Sequence, residues 1–126
     1  MDFEWTVSRV FSDIPEREYI NDCCIGGDEI LAQIKPEIAR LMNIDVSLIE
    51  IYQEDWGWAL EFAKDDVFYF LGIGKTAELE SETLFTVNLE THRNIKGFLL
   101  NKKVEAAEEL KILGKLLSEI AESLNF

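Results

Sequence analysis

The run Glu54-Asp55-Trp56-Gly57-Trp58-Ala59-Leu60-Glu61-Phe62-Ala63-Lys64-Asp65-Asp66-Val67-Phe68-Tyr69-Phe70-Leu71-Gly72-Ile73 has the pattern of two strands joined by a turn. Trp56, Trp58, Leu60 and Phe62 recur at every second residue, with Gly57, Ala59 and Glu61 between them, so one face of the first strand is expected to be buried. Lys64-Asp65-Asp66 supplies the turn. Residues 67–73 are apolar at almost every position, which suits a central strand covered on both sides or a small, tightly wrapped sheet.

Outward from this pair the same period continues. Residues 84–91 alternate Phe85, Val87 and Leu89 inward with Thr86, Asn88 and Glu90 outward, and residues 46–53 are rich in strand-forming side chains. Phe3, Trp5 and Val7 alternate with Glu4, Thr6 and Ser8 near the start of the chain, and 95–100 offers a further edge strand or a lead into the last helix. Two segments instead carry the helical period. After Gly26-Gly27, with Asp28 expected as cap, Ile30, Ile34, Ile38 and Met42 form a stripe joined by Leu31 and Leu41, and Pro36 predicts a kink or two abutting helices. Leu110, Leu113, Leu117, Ile120 and Leu124 form the second stripe, widened by Ile112 and Leu116; Gly114 within it implies a close neighbour. The turn at 12–15 and a loop or helical turn at 16–24 complete the outline. The expected fold is a single α+β domain over residues 1–126. It has an antiparallel sheet of four to five strands, a kinked N-terminal helix and a long C-terminal helix.

The chain has 126 residues, 48% of them hydrophobic, which is enough for one core. Its 12 basic side chains face 25 acidic ones, for a net charge of −13, which argues against gripping a phosphate backbone. The surplus is uneven: 20 of the acids but only 6 of the basic residues precede residue 91. The acidic start lacks the basic and apolar regions of a signal peptide, and no apolar run approaches the ~18 residues of a membrane span. Cys23 and Cys24 are adjacent, unsuited to an ordinary bridge with each other, and read as reduced thiols of a cytoplasmic protein.

No catalytic constellation stands out. Gly72-Ile73-Gly74-Lys75-Thr76 ends like a phosphate loop, but Tyr69 stands where the motif needs its first glycine, and a turn closing a strand is the better account. His92 is the lone histidine and reads as a solvated loop residue; no spacing ties Ser81, Thr83 or Cys23 to it as nucleophile. Asp65-Asp66 lacks the alternating oxygen ligands of a calcium loop. The expectation is therefore no enzyme, no metal and no cofactor.

The acids gather around Glu50, Glu54 and Asp55, around Glu61, Asp65 and Asp66, and at Glu78, Glu80 and Glu82. Such clusters keep a protein dissolved, or they steer a basic protein partner to its site. Trp56 and Trp58 beside Glu54 and Asp55 are either core or the aromatic anchors of a binding surface, and Gly57 leaves room for an approaching chain. With its size, charge, element order and Glu54-Asp55-Trp56-Gly57-Trp58 strand, the chain resembles the immunity proteins of bacterial polymorphic toxin and contact-dependent inhibition systems. That resemblance implies a cytoplasmic inhibitor that binds and occludes a cognate toxin domain, commonly a basic nuclease, without touching nucleic acid or membrane. The partner-binding residues expected are Glu54, Asp55, Trp56, Trp58, Asp65, Asp66, Glu78, Glu80 and Glu82. The alternatives are an acidic secretion chaperone or adaptor dimerising through the 110–124 stripe, and a small enzyme or ligand-binding domain with a polar pocket near His92 or Tyr69.

Overall fold

The computed structural model describes residues 1–9, 11, 26–96 and 101–126, with backbone alone at 95, 96, 101 and 102. The readings of 12–15, of 16–24 and of Cys23 and Cys24, and part of that of 95–100, lie outside those residues. In chain order the elements are β1 (Asp2–Val7), α1 (Gly27–Met42), a 3-10 turn (Val46–Leu48), β2 (Glu50–Glu54), β3 (Gly57–Lys64), β4 (Val67–Glu78), β5 (Thr83–Lys96), β6 (Asn101–Glu105) and α2 (Ala107–Leu124). The strands form one antiparallel sheet in the order β1-β5-β4-β3-β2, with β6 also paired to β5. This is the expected α+β architecture, with a sixth strand added.

Among the described residues, helices cover one side of this sheet. α1 packs on β2, β3 and β4, while α2 packs on β4 and β5 and touches α1. The side chains meeting them are those the strand period assigned inward: Trp5 and Val7 on β1, Leu60 and Phe62 on β3, and Phe85, Val87 and Leu89 on β5. β4 adds Val67, Tyr69, Leu71 and Ile73, and the helices answer with Ile30, Leu31, Ile34 and Ile38 and with Leu110, Leu113, Leu117 and Ile120. Phe62 and Tyr69, directly paired across β3 and β4, stack with centroids 4.7 Å apart.

Several expectations are corrected. β4 is central, but among the described residues no helix covers its second face, and Phe68 there is 42% exposed. α1 runs through Pro36 as one helix rather than as two abutting ones. Its N-cap is Gly26, in the left-handed region at φ 102°, and Asp28 falls in the first turn, where an acid suits the helix dipole. Leu41 and Ile112, assigned to the apolar stripes, lie on their outer borders, Ile112 at 55% exposure. Residues 46–48 are a 3-10 turn before the strand, opened by the Asp45 side chain accepting from the Ser47 amide. Gly114 is indeed tightly approached, by the Met1 side chain rather than by a strand or helix. The Gly72–Thr76 string lies inside β4, which continues to Glu78, instead of closing the strand.

The hairpin around Trp56 differs most from the pattern that predicted it. Glu54 pairs with Gly57, so Asp55 and Trp56 form a two-residue turn and Trp56 leaves the strand. Trp58 keeps its place on the helix side, half-buried near Gly27, whereas Trp56 folds over the other face. The two indoles therefore do not share a face. Gly57 is buried rather than open: a Cβ there would stand 2.1 Å from the Ile73 carbonyl oxygen, so this end of the hairpin closes on β4.

Candidate functional site: the open face of the sheet

Because side chains alternate along a strand, every residue between two core positions points to the helix-free side. The register arranges them in rows across the strands. One row runs Glu50, Glu61, Phe70, Glu90 from β2 to β5. The next toward one end is Ala63, Phe68, His92, Glu105. Toward the other end come Tyr52, Ala59, Gly72, Asn88, Asp2. Aromatic rings and carboxylates are thus interleaved on one continuous surface.

The rings on this face are fixed by the strands beneath them. Trp56 lies against Phe70, centroids 6.2 Å apart, and over Gly72, where a Cβ would come within 2.8 Å of the indole. Glycine at 72 is what lets the ring come this close to the strand. Trp56 remains 48% exposed. His92 stacks on Phe68, rings 5.0 Å apart and 15° from parallel, so it is a strand residue on this face and not a solvated loop histidine. Burial holds the imidazole below the usual histidine range, helped by the nearby Lys103 charge and opposed by Glu90 and Glu61.

The carboxylates of the row stand close together, with no ion pair to them among the described residues. Glu50 and Glu61 are direct cross-strand neighbours, a like-charge pairing that costs stability. The Tyr52 hydroxyl donates to Glu61 Oε2 at 3.1 Å, and among the described residues none of Glu50, Glu61 and Glu90 forms an ion pair. Burial, that hydrogen bond and the charges of Glu61, Glu54 and Glu50 push the Tyr52 hydroxyl up to about 12. A folded-state value above the ordinary 10 means the native protein keeps a proton that the unfolded chain has released. Stability is accordingly expected to fall as pH rises between about 10 and about 12. Absorbance titration of tyrosinate should show a step near 12 that Tyr52→Phe removes, and urea unfolding at high pH should lose less stability in that variant.

The expected binding residues divide between this face and the ends of the sheet. Glu54 and Trp56 lie on the open face or over it, and Asp55 sits beside them in the same turn. Asp65 and Asp66 occupy the β3–β4 turn at the opposite end of β3, both at positive φ (51° and 65°), the conformation of a two-residue hairpin turn. β3 has eight residues, so the two acidic pairs stand roughly 24 Å apart. Glu78 pairs with buried Thr83 in the ladder and with Lys75 as an ion pair at 3.8 Å, while Glu80 and Glu82 lie in the β4–β5 connection. Trp58 is on the helix side. Among the described residues no group of three His, Cys, Asp or Glu side chains is placed to hold a metal ion. Thr83 hydrogen-bonds the Arg9 carbonyl, nine positions along β5 from His92, and Ser81 lies beyond it. Among the described residues no helix is long and apolar enough to cross a membrane.

The residues absent from the expected binding set are Glu50 and Glu61 as parts of a row, Glu90, Phe68 and Phe70. Their signal was present in the alternation itself: each lies between two inward positions, and the strand order then makes them neighbours. No family model, curated protein or solved structure matches the chain.

Proposed function

We propose that the protein is an immunity-type antagonist that binds a basic toxin domain through the open face of its sheet. The observation that carries this reading is the row Glu50, Glu61, Glu90 around Phe70, with Trp56 and Phe68 on either side of it. Repulsion between the cross-strand neighbours Glu50 and Glu61, which have no ion pair among the described residues, costs stability, and a cationic surface laid over them relieves it. The rings supply the apolar area that binding hot spots require, and the carboxylates steer the encounter. A partner seated there is occluded over the width of four strands. The secretion-chaperone reading loses its proposed surface, since Leu110, Leu113, Leu117 and Ile120 are buried in the protein's own core.

The test is genetic and direct. A secreted multidomain toxin encoded beside this protein is required, and its terminal domain should arrest growth when expressed alone. Co-expression of this chain should restore growth, and the two should co-purify. A neighbourhood without such a gene, or arrest that persists despite folded protein, refutes the proposal.

A further inference from the structure

Leu48, Glu50, Glu61, Phe68, Glu90 and His92 line a depression of about 530 Å³ on the open face. Its apolar parts are unusually bare: Leu48 is 58% exposed and Phe68 42%. Three carboxylates of the central row rim it, and Lys103 stands at the β6 side. We infer that this depression is the subsite for an arginine side chain of the protein partner. This rests on the proposed function above and deepens it.

The argument is one of shape and charge together. A metal ion is a poor match, because no described trio of ligands converges on a point. An apolar side chain alone leaves the carboxylates facing one another. Arginine has a three-carbon stem to lie along Leu48 and Phe68, and a planar fork of five donors. Adjacent strands are about 4.8 Å apart, so the neighbouring Glu50 and Glu61 carboxylates can be bridged by one guanidinium. Tyr52 holds Glu61 through Oε2 and leaves Oε1 to accept. Lysine offers a compact, strongly hydrated ammonium and meets one carboxylate at a time.

The test uses the full chain, isotope-labelled, titrated with Nα-acetyl-arginine amide and followed by amide chemical shifts. Shifts should centre on residues 61, 68, 70, 90 and 92, with a Kd of about 1–10 mM, ordinary for so small a ligand. Nα-acetyl-citrulline amide, of the same shape without the charge, should leave those amides unmoved, and the lysine analogue should bind at least about fivefold more weakly. Glu61→Gln should weaken arginine binding about fivefold or more while preserving the remaining spectrum, which shows that the fold survives. Equal shifts with citrulline, lysine or calcium chloride, or none localised to the depression well above that Kd, overturn the inference. Growth rescue without arginine binding removes the subsite and leaves the antagonist; arginine binding without rescue does the reverse.

Discussion

Phe85→Ala should cost about 3–5 kcal/mol and lower the melting temperature by roughly 10–20 °C. Phe85 is fully buried at the centre of the covered face, opposite Trp5 on β1 and edge-on to Phe11 at 5.9 Å. Removing its ring deletes the transfer free energy and leaves a hole that neighbours pinned in six strands and two helices cannot refill. That loss is a large part of the roughly 5–15 kcal/mol a domain has. Phe68→Ala is the matched control, the same change on the opposite face. Its ring is 42% exposed and stacks only on His92 among described rings, so about 0.5–1.5 kcal/mol is expected. Chemical unfolding of the two variants measures the difference. Equal losses would show that something covers both faces, and the open-face account of this molecule would fall.

That contrast also marks where sequence reading reached its limit. Period two in β1, β3 and β5 was enough to place Trp5, Leu60, Phe85 and Leu89 inward, because an alternating strand has only one sensible way to bury itself. β4 has no such alternation. Phe68 and Phe70 are as apolar as Tyr69 and Leu71, so the pattern suits a strand covered on both sides or a small, tightly wrapped sheet alike, and the placement of the described helices on one face distinguishes the two sides. Trp56 was misplaced for a local reason: it continues the alternation of Trp58, Leu60 and Phe62, yet Asp55 and Trp56 are spent on the turn. Gly72 then provides its resting place sixteen positions further on, a contact that no periodicity anticipates. The acids were legible as clusters along the chain but not as rows across it. Glu50, Glu61 and Glu90 are distant in sequence and become neighbours only through the order β5-β4-β3-β2.

If a basic toxin domain docks on this face, reversing the row should affect its arrival more than its departure. Glu61→Lys with Glu90→Lys exchanges two negative charges for two positive ones on either side of Phe70, at exposed or half-exposed positions where the backbone is ordinary strand. The association rate should fall about 10–100-fold at low ionic strength, and its decline with added salt should flatten, because the long-range attraction is what salt screens. Asp65→Asn with Asp66→Asn removes two carboxylates, half that charge change, at the β3–β4 turn four to five residues along from Glu61, roughly 13–16 Å, with a side chain that tolerates the positive φ of both positions. Net charge matters to both variants; position matters only to the first. Stopped-flow association across a salt series separates them, since steering by total charge slows both in proportion to the charge changed, and a local docking row slows the lysine variant by more than that proportion. A row variant that associates as fast as the unaltered protein removes the carboxylates from the interface, and with them the reason for placing a partner on the open sheet.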